Sequence, residues 1–104
     1  MPCYDTEIHP DADAEINALR QNGASVSLAK LVAVLVGVVQ HCLPRSEQVI
    51  FTDAHGVQFF KRDCAGLTAI FVIQTNSQAP RSTLHILAVD SGVGPALAVA
   101  TIRA

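Results

Sequence analysis

Charged residues are scarce in this sequence of 104 residues: Asp, Glu, Lys and Arg make up 15% of it, whereas half of the residues are hydrophobic. In a typical soluble domain charged residues approach about a quarter. A chain of this length has room for one core, so we expect a single domain. A small domain has much surface relative to its volume and cannot hide so much apolar side chain in one copy. We therefore expect a second protein or a second copy of the chain, most simply in a dimer, to cover part of it.

A strong charge of either sign is also absent. The formal net charge is −2, so the chain as a whole has no electrostatic footprint for nucleic acid, and such a contact would need a local basic cluster. The cysteines Cys3, Cys42 and Cys64 are odd in number and form no C-x-x-C pair. This pattern favours reduced thiols in the cytoplasm over a disulfide framework. The polar, acidic beginning of the chain is unlike a signal peptide.

Motifs that specify a reaction or a membrane span are missing as well. The longest apolar run, residues 26–39, would measure about 21 Å as a helix, short of the ~30 Å hydrocarbon core. No phosphate-binding glycine loop or G-x-S-x-G is present, and the histidines at 9, 41, 55 and 85 are scattered. Neighbours such as His41 and Cys42 point about 100° apart on a helix, so we expect no metal and no other cofactor. A Cys–His pair that meets only in space stays open beside the commoner unreactive cysteine.

The first half of the chain predicts a strand and two helices. Residues 3–8 alternate in polarity, as in a strand near a sheet edge with one face exposed to solvent. His9-Pro10 ends that strand and opens a helix that stops at Asn22-Gly23. A second helix begins at Ser25 or Ser27 and runs to about His41. Its many valines leave a strand conceivable, but its length favours a helix that is covered on more than one side.

The second half predicts strands over residues 48–52, 57–63, 67–75 and 82–90, and then a short helix or tail over 96–103. Residues 67–75 are apolar on both faces, which places that strand at the centre of the sheet. The predicted order is therefore β-α-α-β-β-β-β. Short turns between successive strands give a mostly antiparallel sheet with two helices packed on one face, an α+β fold.

Four polar residues are candidates for a binding or reactive site. Lys61 and Arg62 end one predicted strand, Arg81 precedes the strand after next, and His85 lies on that strand. If these four side chains converge near a sheet edge, the cations can hold a phosphate and the histidine can transfer a proton. Such a site could cleave RNA, or it could simply bind the RNA backbone. The alternative is that they are solvated strand ends whose charges discourage edge pairing.

Three stretches resemble the RelE/ParE family of toxin–antitoxin proteins: residues 4–16, residues 55–71 and residues 83–89. The resemblance implies an opening strand and a helical pair before an antiparallel sheet. It places Arg62 where relatives often have a basic residue. Gly66-Leu67-Thr68-Ala69 offers neither the tyrosine nor the arginine of the family, and Asp90-Ser91-Gly92 stands where an arginine is typical. A relative that acts by binding a protein, without efficient RNA cleavage, fits this pattern.

Three functions follow as alternatives. The first is a toxin-like component held by an antitoxin segment on its apolar surface. The second is a non-catalytic homo-oligomeric interaction domain. The third is a small-ligand binder, or an enzyme, with a pocket between the second helix and the sheet. The excess of apolar side chains favours the first two, and an independent enzyme is the weakest.

Overall fold

The computed structural model describes residues 4–40, 49–75 and 81–104. It has the predicted α+β fold and the predicted order of elements. The elements are β1 (Tyr4–Ile8), α1 (Pro10–Gln21), α2 (Ser25–Gln40), β2 (Phe51–Thr52), β3 (Gln58–Cys64), β4 (Leu67–Gln74), β5 (Ser82–Asp90) and α3 (Val93–Arg103). Predictions that concern Cys3, His41, Cys42 and Gln48 lie outside the described residues.

The strands form one sheet in the order β1-β5-β4-β3-β2. The strand β1 pairs with β5 in parallel, and the other neighbours are antiparallel. The predicted central strand is β4, and its six residues from Leu67 to Val72 are all buried. The strand β1 lies at an edge, as its polar alternation predicted.

Local sequence explains how α1 begins and ends. Pro10 occupies the first helical position of α1, where its missing N–H costs nothing. The N–H of Asp11 donates to Nδ1 of His9, and the helix ends before Gly23, whose φ of +88° suits glycine. The valine-rich segment forms the helix α2, so the strand alternative was wrong. No helix in the described ranges is both long and apolar enough to cross a membrane.

The sheet is covered on both faces, which the sequence did not predict. The helices α1 and α2 cover one face, around buried Phe60, Phe71 and Leu84. The helix α3 covers the opposite face, where Ala96 and Ala100 are fully buried. Alternation along β4 supplies both cores, because successive side chains of a strand point to opposite faces.

Two details of β5 and α3 differ from a simple reading of the sequence. The helix α3 begins at Val93, three residues before the predicted start, because Pro95 is compatible with a first helical turn. In β5, Ile86 pairs with Phe71 and Ala88 pairs with Ile70, which leaves Leu87 as an extra residue in a β-bulge. The bulge lets Leu87 and Ala88 both pack with the α3 core.

Candidate functional site

The two basic residues of β3 have local partners on opposite faces of the sheet. Lys61 forms an ion pair with Asp63. The hydrogen bond from the Lys61 ammonium, together with one from the Thr68 hydroxyl, lowers the pKa of the Asp63 carboxyl. Arg62 points to the other face, and its guanidinium donates to the backbone carbonyl of Lys61 at 2.9 Å.

The other two candidates lie at the β1 side of the sheet. A guanidinium nitrogen of Arg81 lies 3.3 Å from a carboxylate oxygen of Asp5, which ties the beginning of β5 to β1. His85 stacks on His9 with ring centroids 6.2 Å apart. Since β4 separates β3 from β5, the four predicted residues do not converge on one site. The strand order therefore favours the alternative that these residues are solvated strand ends over a shared phosphate site.

A polar cluster that the sequence did not predict lies where β1 ends. Nη1 of Arg103 lies 2.7 Å from Oε1 of Glu15 and donates to the carbonyl of Leu87 at 2.9 Å. The same Glu15 oxygen accepts from the N–H of Val89 at 3.3 Å. Beyond β1, these two side chains therefore satisfy backbone groups at the bulged end of β5. Sequence patterns gave no signal for this pair, because 88 positions separate its members.

The histidine pair beside this cluster offers limited chemistry. Nδ1 of His9 accepts the N–H of Asp11, and Nδ1 of His85 is buried with no hydrogen-bond partner within the described ranges. No group of three metal-ligating side chains occurs in the part of the chain that the structure describes. Cys64 is partly buried at the end of β3 and packs against the core under α1 and α2.

An apolar groove of about 580 Å³ lies between α2 and the β1 side of the sheet. The strands β1 and β5 form its floor, α2 forms a wall, and Ile16 of α1 contributes to its lining. We call this cavity the α2–β1 groove. Its lining residues are Thr6, Ile8, Ile16, Leu28, Leu31, Val32, Leu35, Val36, Val39, Gln40, Leu84, Ile86 and Val89. Only Thr6 and Gln40 among them are polar.

The periodicity of α2 explains why the groove remains open. Leu28, Leu31, Leu35 and Val38 lie on the buried stripe of the helix. Val32 and Val36 lie on the neighbouring stripe and are 52% and 46% exposed, and Ile8 on β1 is 44% exposed. Apolar side chains that leave about half of their surface in water around one groove are typical of a binding surface. The low charge of this segment was the sequence signal for these residues, although it did not identify them individually.

The groove lies between α2 and the sheet, where the sequence suggested that a ligand could bind. Its geometry suits an apolar segment or molecule, since it offers hydrocarbon surface and few groups that could polarise a substrate.

Comparisons of the chain with protein-family models, with curated proteins and with solved structures each gave no match.

Proposed function

We propose that this domain is a protein-binding module that holds an apolar segment of a partner polypeptide in the α2–β1 groove. The observation that carries the proposal is the half-exposure of Ile8, Val32 and Val36 around a groove whose lining is almost entirely apolar. Removal of this surface from water favours association by about 25 cal/mol per Å² before the costs of ordering the partner.

A toxin-like component of a toxin–antitoxin module is the biological role that we propose for such a surface, with the antitoxin as the bound partner. This role also implies a cytoplasmic location, which the unpaired cysteine pattern supports. The strand β4 separates Lys61 and Arg62 from Arg81 and His85, and this separation argues against efficient RNA cleavage, which needs cations and a proton-transferring group at one phosphate. Binding is therefore the proposed mode of action.

The test is co-expression with the protein encoded by the neighbouring gene, scored for growth arrest and for co-purification. We expect the partner to co-purify with the wild type and to be lost from Val36→Asp, because a carboxylate in the groove would have to be buried or would exclude the partner. Val26→Asp is the matched control: Val26 is on the same helix and is 69% exposed, but it does not line the groove. Equal capture by both variants would refute the proposal.

Self-association is the second candidate, and a different part of α2 favours it. Val26, Ala29 and Ala33 are exposed, and Lys30 is the single charged residue of this helix. Two copies of such a largely apolar face could pack together. Sedimentation analysis tests this alternative: a stable dimer that Val26→Asp dissociates would support it, and a monomer at all concentrations would exclude it.

Specific binding of a fluorescent apolar dye in the groove, without any protein partner, would instead favour the small-ligand alternative.

A further inference from the structure

The edge strand β1 has unused hydrogen-bonding groups beside the α2–β1 groove. The N–H of His9 donates to the carbonyl of Ile86 at 2.9 Å, so the backbone N–H and C=O groups of the odd-numbered residues of this segment point toward β5. Backbone groups alternate in direction along a strand, and those of Thr6 and Ile8 therefore point away from β5. Within residues 4–40, 49–75 and 81–104, no strand pairs with that outer edge. An exposed edge of this kind is a template for another strand.

The two faces of β1 differ in chemistry. Thr6 and Ile8 line the groove. Asp5 and Glu7 project to the opposite face, where they pair in register with Thr83 and His85 of β5. Asp5 has an ion pair with Arg81, and Glu7 has none within the described ranges. A strand added at this edge would meet apolar surface on one face and carboxylates on the other.

Charge disfavours a second copy of β1 as the added strand in the registers that overlap by most of the strand. A two-fold axis that relates two antiparallel edge strands keeps like faces on the same side. Pairing centred on Thr6 then sets each Asp5 opposite a Glu7, and pairing centred on either acidic residue sets that residue opposite itself. Like charges directly opposite each other destabilise a strand pair. The acidic face of β1 thus protects the edge against self-pairing and favours a basic partner.

We propose that the partner segment binds as an extended strand along β1, and that it alternates apolar residues with lysine or arginine. Its backbone pairs with the outward groups of Thr6 and Ile8. Its apolar side chains cover Ile8, Val32 and Val36 at the groove, and its basic side chains lie beside Glu7 and Asp5. This inference rests on the proposed protein-binding function and specifies the conformation and the charge of the bound segment.

The direct test uses a labelled synthetic peptide in which lysine and valine alternate, with a glutamate–valine peptide as its charge-reversed counterpart. We expect saturable binding of the first peptide and at least about tenfold weaker binding of the second, because its carboxylates face Glu7. Hydrogen exchange should slow at the amides of Thr6 and Ile8 when the lysine–valine peptide is added. No saturable binding of that peptide, or equal binding of both, overturns the inference.

Two variants of the full chain separate strand pairing from apolar contact. Thr6→Pro removes an outward N–H, and an edge strand tolerates proline there because the pairing of β1 with β5 does not use that donor. We expect at least about a tenfold lower peptide affinity in Thr6→Pro than in Thr6→Val, which changes the same side chain but keeps the backbone N–H. Glu7→Lys should weaken binding about tenfold, while Asp13→Lys, the same charge change at an exposed site on α1, should not. Wild-type affinity in Glu7→Lys contradicts the inference even if Thr6→Pro fails to fold.

Co-purification of the natural partner distinguishes this inference from the proposed function. Loss of the partner in Val36→Asp, Thr6→Pro and Glu7→Lys supports both. Loss in Val36→Asp alone retains the groove as the binding surface but overturns the strand geometry. Retention of the partner in Val36→Asp refutes the proposed function itself.

Discussion

Replacement of Arg103 by alanine tests how the end of the sheet is held together. The Arg103 side chain is 15% exposed and that of its ion-pair partner Glu15 is 26% exposed. The substitution leaves the Glu15 carboxylate without its cation and the carbonyl of Leu87 without its side-chain donor. These groups connect α3, α1 and β5, and Nε of Arg103 also lies 3.9 Å from a carboxylate oxygen of Asp11 on α1. A loss of stability here therefore measures the polar contacts that Arg103 makes with two other elements.

The size of the effect follows from burial. Removal of one partner of a buried ion pair costs about 3–5 kcal/mol, because the remaining charge is left uncompensated. Glu15 is about a quarter exposed, so water recovers part of that cost. We expect a loss of about 2–3 kcal/mol, within the range for hydrogen bonds to charged groups. The variant should remain folded, since a domain of this size has about 5–15 kcal/mol of stability.

Urea unfolding followed by circular dichroism measures this loss, and a double-mutant cycle with Glu15→Ala isolates the pair. We expect a coupling energy of at least about 1 kcal/mol, because both single variants disrupt the same contact. Arg20→Ala is the control: Arg20 is an exposed arginine on α1 whose side chain bonds to nearby Asn17, and its loss should cost less than about 0.5 kcal/mol. A cost for Arg103→Ala as small as that of Arg20→Ala would refute the structural role of the pair.

Three further predictions concern backbone, packing and pH. Gly37→Ala should stabilise the protein by about 0.5–1 kcal/mol in urea unfolding, because alanine suits a helix better than glycine and nothing lies within 4 Å of the added Cβ. Gly66→Ala should destabilise the protein by about 1 kcal/mol or more, because a residue with a side chain is strained at the φ of +82° that Gly66 adopts. Ala100→Leu should cost about 1–3 kcal/mol or more in thermal unfolding, because fully buried Ala100 leaves no room between α3 and the sheet. The lowered pKa of Asp63 means that its carboxylate stabilises the fold above the unfolded-state pKa and loses this contribution as the pH falls through the folded-state value. The free energy of unfolding of Asp63→Asn should therefore fall less than that of the wild type when the pH drops below about 4. The difference should be less than about 1 kcal/mol, because the Asp63 side chain is 47% exposed. The same decrease in both proteins, measured by urea unfolding at a series of pH values, would contradict this.

Pattern and composition predicted the elements well because those elements depend on neighbouring residues. The turn at Gly66, the alternation of β5 and the proline after β1 act within a few positions, so their outcomes could be inferred locally. The predicted start of the last helix, residue 96, directly follows Pro95, whereas α3 begins at Val93, because proline fits the first turn of a helix.

The proposed site illustrates the opposite case. The sequence suggested Lys61, Arg62, Arg81 and His85 on chemical grounds, but their distance from one another depends on the order of strands, and β4 lies between the two pairs. The valines of α2 were recognised only as surplus apolar surface. Their division into a buried stripe and an exposed stripe depends on how α2 crosses the sheet, which its periodicity alone does not specify.

The sequence by itself determined the class of the fold, the order of its elements, the central place of β4 and an apolar content that is high for a small domain. Each of these follows from local propensity, from hydrophobic periodicity or from the ratio of surface to volume. Only the tertiary structure decided that α3 covers the second face, that Glu15 meets Arg103, and that Ile8, Val32 and Val36 surround one groove. Those facts join residues that are distant along the chain, and such contacts depend on the packing of whole elements rather than on any neighbouring residue.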